Sequence, residues 1–271
     1  MDASFRLWDT VQALAPLSPE FVSVTYGAGG TTRKLTHEAV TAIGRNYGLN
    51  VAAHLTCVDA SRAETLAIAD AYSEAGITEI VALRGDAPKG AERFIPHSDG
   101  FAGSHELVAA LADRFNVRVG AYPETHPDAT TARANIDYLK RKFDAGARSA
   151  LTQFFFKADT FFRFRDACVA AGIDQPIIPG ILPVQSWEGA KRFAARCGTT
   201  VSPRLNEAFT RAARDGREEL YALAHCAQLC EQLIAGGVQD LHFYTLNRPD
   251  LTRDVVRALG ITPAPALEKV A

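Results

Sequence analysis

The hydrophobic residues of this chain fall in runs of strand length, separated by longer segments with helical periodicity. Most of these runs are continuously apolar, which is typical of strands that are buried on both faces in a parallel sheet. The segments between them predict helices, for example at 62–74, 131–144 and 158–171. The seven runs predict strands at 21–27, 50–57, 79–85, 117–124, 149–156, 176–183 and 240–246.

Several predicted helices end in a small residue and a glycine, directly before the next strand. Gly76, Gly146, Gly172 and Gly237 are examples. Glycine accepts the left-handed conformation that closes a helix. The unit of helix, glycine and strand recurs about every 30 residues, as expected of βα repetition. The interval between the last two strands is longer and predicts two helices.

The repeated βα units favour a barrel. A chain of 271 residues with 47% hydrophobic content can bury one large core, and α/β barrels commonly reach about 250 residues as one domain. We therefore predict a single TIM (β/α)8 barrel domain over residues 1–271. An open doubly wound sheet is the alternative, but G-x-G-x-x-G follows none of the predicted strands. The segment Gly27-Ala28-Gly29-Gly30 follows a strand without that spacing, and a flexible turn or a ligand contact would explain it equally well.

The predicted strands are one short of the eight that close such a barrel. The chain opens with an amphipathic helix, and no predicted strand precedes it. The expected missing strand is therefore the first. The apolar positions of the opening helix are Phe5, Leu7, Trp8, Val11 and Leu14.

Charge and composition narrow the function classes. The net charge of −2 gives no electrostatic reason to expect nucleic acid or a membrane surface as partner. No apolar run reaches the roughly 18 residues of a membrane span, and the first residues lack signal-peptide features, so we expect a cytoplasmic protein. The five cysteines include no C-x-x-C pair, which disfavours disulfides and zinc. We expect small buried hydrophobes and no metal, although Cys226 and Cys230 beside His225 leave a metal site as the alternative.

Polar residues follow almost every predicted strand. Active sites of α/β barrels lie at the carboxyl ends of the strands. Each residue alone could be a cap, a turn residue or part of a solvated loop, but together they indicate one site. They are Thr25, Tyr26, His54, Thr56, Arg84, Asp86, Tyr122, Glu124, His126, Gln153, Tyr244, Asn247 and Arg248.

Eight segments resemble the methylenetetrahydrofolate reductases in order and spacing. They are FVSVTYGAGGTTR, HLTCVDA, IVALRGD, AYPETHP, LKRKFDAGA, TQFFF, IIPGILPV and HFYTLNR, from Phe21 to Arg248. LRGD alone is a weak signal, whereas the ordered set is specific. The resemblance implies a TIM barrel, bound FAD, NADH or NADPH as reductant and methylenetetrahydrofolate as substrate. It also implies the short bacterial type, because the eukaryotic regulatory domain has no counterpart. The sequence does not separate NADH from NADPH, and it leaves a homo-oligomer open.

The resemblance also implies cofactor-binding residues. Arg84, Arg141 and Lys142 are cations suited to a pyrophosphate, although Arg141 or Lys142 could each lie on a solvated helix face. Asp86 matches the catalytic aspartate near the flavin pyrimidine edge and the pterin. A carboxylate there can hydrogen-bond the pterin and tune the flavin through its charge. The positions that match FAD-binding residues are Thr25, His54, Arg84, Gly85, Asp86, Tyr122, His126, Arg141 and Lys142.

On the substrate side, the matching positions are Gln153, Phe193, Tyr244 and Arg248. Phe193 could stack on NADH and on folate in turn, with core packing as the alternative, and Arg248 suits a folate carboxylate. The implied mechanism is ping-pong. NADH passes a hydride to FAD and leaves, and methylenetetrahydrofolate then opens to a 5-iminium cation that takes the hydride.

The sequence departs from the family in several places. The family's first strand resembles F-E-F-F-P-P and carries the glutamate that is taken as the general acid, and this chain has no counterpart of it. We expect a truncated or misassigned start. A short protein with a replacement acid, such as Glu124, or a non-catalytic binding subunit that depends on a partner are the alternatives. Asn135 and Tyr138 stand where some relatives carry other polar groups near the cofactor, and Gly189 stands where a substrate-contacting glutamine is found. A barrel aldolase is a weaker alternative, because no predicted strand ends in a Schiff-base lysine.

Overall fold

The structure is a computed structural model that describes residues 2–25, 33–86 and 94–262. The strands are β1 Val22–Val24, β2 Val51–Thr56, β3 Glu79–Leu83, β4 Asn116–Ala121, β5 Ser149–Thr152, β6 Ile177–Ile178, β7 Gly180–Ile181 and β8 His242–Phe243. The α-helices are α1 Asp2–Leu14, α2 Arg33–Tyr47, α3 Arg62–Glu74, α4 Ser104–Leu111, α5 Ala132–Asp144, α6 Ala158–Ala170, α7 Trp187–Cys197, α8 Pro203–Arg214, α9 Glu218–Ala235 and α10 Pro249–Ala258.

Neighbouring strands in the sheet are also consecutive along the chain. Strands β1 to β6 form one sheet in chain order, and β7 pairs with β8. The pairs β1–β2, β2–β3, β3–β4 and β7–β8 are all parallel. Parallel strands that alternate with helices are the organisation of a TIM-like α/β barrel, so the predicted fold class is confirmed.

All seven predicted strands have a counterpart, and one of them is divided. The predicted strand 176–183 is two segments, β6 and β7, with Pro179 between them. Proline has no backbone N–H and cannot continue a hydrogen-bonded ladder through both of its sides. Its carbonyl oxygen still accepts a hydrogen bond of 3.0 Å from His242 N. Residues 26–30, which include Tyr26 and the Gly27–Gly30 segment, lie outside the described residues.

The predicted number of helices between the last two strands is wrong. The sequence predicted two helices, and the structure has three, namely α7, α8 and α9. Helix α7 ends at Gly198, which has a left-handed φ of 71°. Four residues later the Ser202 side chain accepts a hydrogen bond from Leu205 N and caps α8, with Pro203 as its first residue. A left-handed glycine followed by a serine–proline helix start ends one helix and begins another. The hydrophobic pattern alone does not show this interruption, so it predicts one helix where the structure has α7 and α8.

The chain divides into two compact units. The first comprises residues 1–18, 122–136 and 151–271, and the second comprises residues 19–121 and 137–150. The core of the second unit is built on β2 and β3, where Ala52, Leu55 and Ile80 are fully buried. Burial on both faces of these strands explains why their sequences do not alternate. A single domain over residues 1–271 stays a prediction.

The first unit is mostly helical. Helix α10 packs against both α1 and α9. Its Val255 is fully buried, and Val11 of α1 is buried with 6% exposure. A second cluster joins α7 and α8, where the rings of Trp187 and Phe209 stack with centroids 4.1 Å apart. Phe156, which follows β5, joins the same cluster, with its ring centroid 5.6 Å from that of Trp187, so the two helices also pack on the end of the sheet.

A buried ion pair lies at the amino ends of the strands in the second unit. Arg118 of β4 donates from Nε to Glu79 Oε2 at 3.1 Å and from Nη1 to Ser149 Oγ at 3.0 Å. Asn116 Nδ2 donates to the other oxygen of Glu79 at 2.7 Å. The exposed Glu20 accepts from Arg118 Nη2 at 3.3 Å. This end of a barrel serves stability, since the chemistry lies at the opposite end.

The cysteines have the buried character that the sequence predicted. Cys57, Cys168, Cys226 and Cys230 are buried, and Cys197 is partly exposed. Burial raises the pKa of Cys57 and of Cys168 to about 11. Thiols with raised pKa values are poor nucleophiles and poor metal ligands. In the described part of the chain, no helix combines the length and the apolar character that crossing a membrane requires.

Candidate active site

The predicted site residues belong to both units, and each set is described within its own unit. The second unit holds Thr25, His54, Arg84, Gly85, Asp86, Arg141 and Lys142. The first unit holds Tyr122, His126, Gln153, Phe193, Tyr244 and Arg248.

Three strand ends of the second unit meet at one edge of the sheet. In the parallel register Val24 is opposite Ala53, and Thr56 is opposite Leu83. Thr25 and Arg84 are the next residues along β1 and β3, so both follow paired positions at the carboxyl edge. His54 lies within β2, half-buried, while Thr25 is exposed. The sheet therefore brings the predicted residues of β1, β2 and β3 to the same edge.

The turn after β3 is held close to the chain that follows β2. Gly85 has a φ of +90°, and a Cβ on it would lie 2.4 Å from Val58 Cγ1. Cys57 N donates to Leu83 O at 3.3 Å, and the Cys57 thiol contacts Arg84 O at 3.5 Å. Only glycine fits this left-handed, crowded position. The turn leaves the carboxylate of Asp86 exposed.

Two cations of α5 lie over one tyrosine ring. Lys142 Nζ is 5.3 Å from the centroid of the Tyr138 ring, and Arg141 Cζ is 4.8 Å from it. Lys142 is 5% exposed and donates to Gly120 O, near the end of β4, while Arg141 is exposed. Burial lowers the pKa of Lys142 to about 7. Of the two residues, only Arg141 fits the alternative of a solvated helix face.

The Lys142 ammonium is therefore buried against a carbonyl and a ring, with a second cation beside it. None of the described carboxylates forms an ion pair with it. Burying an ammonium without an anion is unfavourable, which is why its pKa falls. An anionic ligand such as a diphosphate would satisfy both cations. The residues present thus fit the phosphate part of the predicted cofactor.

Replacing Lys142 with methionine is expected to stabilise the ligand-free chain by about 1–3 kcal/mol at pH 7, after allowing for the lost hydrogen bond to Gly120 O. The folded pKa of about 7 lies below the ordinary value of 10.5. The unfolded chain therefore binds more protons between these pH values, and stability rises with pH across that window. The gain from the substitution should shrink towards pH 10. Thermal melting of the wild type and the variant at both pH values measures this.

The control for this experiment is Lys140→Met on the same helix. Lys140 forms an i,i+4 ion pair of 3.6 Å with Asp144, and its side chain is 41% exposed. A surface pair of this kind contributes little, so the control should melt near the wild type at both pH values. A Lys142→Met variant that is destabilised equally at pH 7 and pH 10 would contradict this explanation, because it would show that the lysine side chain stabilises the fold independently of the expected change in its charge.

Tyr138 links α5 to the start of α4. Its hydroxyl accepts from Ser104 N at 3.1 Å and lies 3.2 Å from Ser104 Oγ. His105 Nδ1 is 3.5 Å from the same oxygen. Burial and the nearby Arg141 lower the pKa of His105. Because α4 has no side-chain cap of its own, the tyrosine satisfies one of its free amides.

In the first unit, the loop after β4 is closed by Asn135. Its Nδ2 donates to Tyr122 O at 2.9 Å, and its Oδ1 accepts from His126 N at 3.3 Å. The rings of Tyr122 and His126 meet edge to face at 4.5 Å. Thr125 has a φ of +68°, a conformation that costs a β-branched residue about 1–3 kcal/mol. The loop bonds hold this strained residue in place. Asn135 thus stabilises the conformation of this loop, a role that the sequence did not predict.

The end of β5 and the β7–β8 pair carry Gln153 and Tyr244. Gln153 Oε1 accepts from Phe154 N at 3.0 Å. The Tyr244 hydroxyl donates to Thr152 O at 2.7 Å, and Thr152 Oγ1 accepts from Gly180 N at 2.8 Å. Burial, followed by the nearby Tyr122, raises the pKa of Tyr244. The Tyr244 hydroxyl already donates its proton to Thr152 O, so towards a substrate it can act only as a hydrogen-bond acceptor.

Phe193 and Arg248 are accessible from solvent to different extents. Phe193 is half-buried on α7, and its ring centroid is 5.0 Å from that of Phe154. Arg248 is exposed at the N-cap of α10. The two residues before it, Leu246 and Asn247, both have left-handed φ values, 50° and 55°. Core packing and ligand stacking are therefore compatible for Phe193, since the ring packs against Phe154 and lies 5.5 Å from Arg196 Cζ but stays half-exposed.

A family profile described as methylenetetrahydrofolate reductase matches residues 2–260. The chain belongs to the methylenetetrahydrofolate reductase family. It is 43% identical to the 5,10-methylenetetrahydrofolate reductase of Salmonella typhimurium, over 95% of this chain and 86% of that protein. It is 42% identical to the protein of the same name from Escherichia coli, with the same coverage. Methylenetetrahydrofolate reductase (NADH) 1 of Arabidopsis thaliana is 32% identical, over 96% of this chain and 46% of that protein.

Among solved structures, this reductase-family chain is similar to an uncharacterized protein from Clostridium thermocellum that binds two copies of 5-methyl-5,6,7,8-tetrahydrofolic acid. The TM-score is 0.50 at 12% identity, over 94% of this chain and 98% of that one. At this identity the likeness concerns the fold alone. It agrees with the barrel organisation described above, and the predicted family is confirmed by the profile and the bacterial relatives.

Proposed function

We propose that the chain reduces 5,10-methylenetetrahydrofolate to 5-methyltetrahydrofolate with NADH or NADPH, through a bound FAD. The observation that carries the proposal is the family match over residues 2–260. The bacterial relatives named 5,10-methylenetetrahydrofolate reductase support the substrate. The buried Lys142, without an anionic partner among the described residues, supports an anionic cofactor.

The proposed cofactor would be held mainly by the second unit. Lys142 and Arg141 would bind the diphosphate, and Arg84 would add a third cation. When bound, FAD supplies the acceptor for the nicotinamide hydride and the donor of that hydride to the folate. The Arg84 guanidinium is held 4.8 Å above the Phe94 ring and donates to Gly85 O at 3.3 Å. A charge oriented in this way need not reorganise when a ligand binds.

Asp86 is proposed to act on the folate. Its carboxylate is exposed beyond the Gly85 turn, where it could accept hydrogen bonds from a pterin. Ring opening of methylenetetrahydrofolate creates a 5-iminium cation, which a fixed carboxylate stabilises electrostatically. The nicotinamide ring also becomes cationic as it gives up its hydride, so charge alone does not distinguish the two halves of the reaction. The additional hydrogen bonds between Asp86 and the pterin make the folate half-reaction depend more strongly on this carboxylate.

The first unit is proposed to bind the substrates. Phe193 packs against Phe154 and is only half-buried, and its exposed part would stack on a ring, first of the nicotinamide and then of the folate. Arg248, exposed at the start of α10, suits a folate carboxylate. Gln153 and Tyr244 would contribute hydrogen bonds. Use of one stacking position by both substrates is what a ping-pong reaction requires.

The test is anaerobic stopped flow on the purified chain. We expect the protein to carry FAD, with absorbance near about 450 nm that NADH or NADPH bleaches and methylenetetrahydrofolate restores. A folded chain that neither retains nor takes up FAD would contradict the proposal. Flavin that is reduced but never reoxidised by the folate would support a flavin-binding protein without the reductase reaction.

Asp86→Asn is expected to slow the folate half-reaction about 10- to 100-fold and flavin reduction by NADH less, because the folate combines a developing cation with hydrogen bonds from its pterin to this carboxylate. The two half-reactions are measured separately by stopped flow. Asp174→Asn, an exposed aspartate remote in sequence from every proposed site residue, is the control and should match the wild type. Equal slowing of both half-reactions would remove the proposed role of Asp86.

A further inference from the structure

The turn that follows α7 is attached to two other parts of the first unit. The turn, residues Gly198–Thr200, is called the α7 latch below. Helix α7 closes with Gly198 in the left-handed conformation, and Thr199 N donates to Ala194 O at 2.9 Å. This closure ends the helix and directs the side chain of Thr199 and the amide of Thr200 towards neighbouring segments.

The first attachment is to the end of β5. Thr199 Oγ1 donates to Phe154 O at 3.0 Å, and Thr199 is 7% exposed. The ring of the same Phe154 lies 5.0 Å from that of Phe193 on α7. Phe154 therefore contacts α7 through its ring and the α7 latch through its carbonyl. The position of the Phe193 ring depends on both contacts.

The second attachment is to the loop after β4. Thr200 N donates to Glu124 Oε2 at 3.1 Å. A Cβ on Gly198 would lie 3.5 Å from Pro127 Cγ and 4.0 Å from Thr125 O, so the latch backbone runs against this loop. Glu124 precedes the strained Thr125, in a loop that Asn135 closes. The loop is thus rigid enough to present the carboxylate at a fixed place.

We propose that Thr199 and Glu124 are positioning residues that set the ring of Phe193 through the α7 latch. The proposal rests on the proposed function, in which both the nicotinamide and the folate stack on Phe193. Neither residue touches the reacting atoms. Glu124 acts as a hydrogen-bond acceptor for Thr200 N, which differs from the role of replacement general acid that the sequence suggested as an alternative.

The kinetic test compares a disruptive and a conservative variant at each position. Thr199→Val removes the hydroxyl at nearly constant shape, and Glu124→Ala removes the acceptor. We expect both to raise KM for the nicotinamide and for the folate together, about tenfold for Thr199→Val and about threefold for the more exposed Glu124. Thr199→Ser and Glu124→Gln keep the hydrogen bonds and should stay within about twofold of the wild type, with kcat little changed in all four.

The matched control is Thr210→Val. Thr210 Oγ1 donates to Asn206 O at 2.7 Å within α8, on an exposed surface away from the latch. It has the same chemistry as Thr199 but no connection to Phe193, so its KM values should equal those of the wild type. Higher KM values in this control would show that loss of any threonine hydroxyl disturbs the helices.

A second measurement does not need activity. Hydrogen exchange of the Thr200 amide should be about tenfold faster in Glu124→Ala than in Glu124→Gln, because only the glutamine can still accept from this N–H. If the chain proves to lack reductase activity, the proposed function fails while this exchange still reports on the latch. The proposal is overturned if Glu124→Gln loses folate turnover as fully as Glu124→Ala, or if exchange at Thr200 is the same in both. Faster exchange with unchanged KM for both substrates also overturns it.

Discussion

Glu79→Ala is expected to destabilise the protein by about 3–5 kcal/mol, because it leaves a buried guanidinium without its main partner. Arg118 and Glu79 have side chains that are only 7% and 11% exposed, and they form an ion pair of 3.1 Å. The remaining contacts of Arg118 are Ser149 Oγ, the exposed Glu20 and the Phe21 ring at 4.1 Å. None of these replaces a buried carboxylate. Asn116 Nδ2 also loses its acceptor in this variant.

Urea unfolding followed by circular dichroism measures this effect as a lower midpoint. The matched control is Glu20→Ala, which removes the other carboxylate on the same guanidinium. The Glu20 side chain is 66% exposed, so its loss should change stability by less than about 1 kcal/mol. The double variant Glu79→Ala, Arg118→Met should recover much of the loss, since it removes the uncompensated charge. A double variant no more stable than Glu79→Ala would refute this explanation.

Gly180→Ala is expected to destabilise the protein by at least about 3 kcal/mol. A Cβ at Gly180 would lie 2.1 Å from Thr152 O and 2.6 Å from Tyr244 Cε2. The nearest of these atoms is backbone, which cannot rotate away as the end of a side chain can. The β7 strand must therefore move, and the hydrogen bonds from Gly180 N and Tyr244 Oη to Thr152 would break together. One methyl group thus disrupts both the β7–β8 pair and a predicted substrate-side residue.

Thermal melting and the yield of folded protein measure the effect of Gly180→Ala. Gly44→Ala on α2 is the control, because the nearest atom to its Cβ would be Leu49 O at an ordinary 3.8 Å. An alanine in that helix should be neutral or stabilising by about 0.5–1 kcal/mol. If Gly180→Ala melts with the wild type, the β7 strand has more freedom than the structure shows.

The regular elements could be predicted because their signals are local. The α3 helix was predicted at 62–74 and lies at Arg62–Glu74, where Ser61 and Glu64 form a capping box that the sequence alone can show. The seven strands were found from continuous apolar runs. The break at Gly198–Ser202 and the division at Pro179 were missed, because helical and strand periodicity average over such short interruptions.

The sequence predicted which residues belong to the candidate site, but it predicted few of their contacts. Motif positions led to Lys142, yet its burial against Gly120 depends on the packing of α5 on β4. The hydrogen bond from Thr200 N to Glu124 joins residues 76 positions apart, and no local sequence pattern predicts it. The sequence predicts no structural role for Asn135 or Tyr138. Their hydrogen bonds show structural roles that only tertiary contacts reveal.

The packing of α1 against α10 has a consequence for the newly made protein. Helix α1 ends at Leu14 and its partner α10 begins at Pro249, so almost the whole chain is translated between them. At about 5–20 residues per second, the ribosome needs on the order of 10–50 s for that distance. During this time the apolar stripe around Val11 has no α10 to cover it. Helix α1 leaves the ribosome long before α10 and is thus among the last helices to be buried, which makes it a natural recognition site for chaperones that bind nascent chains.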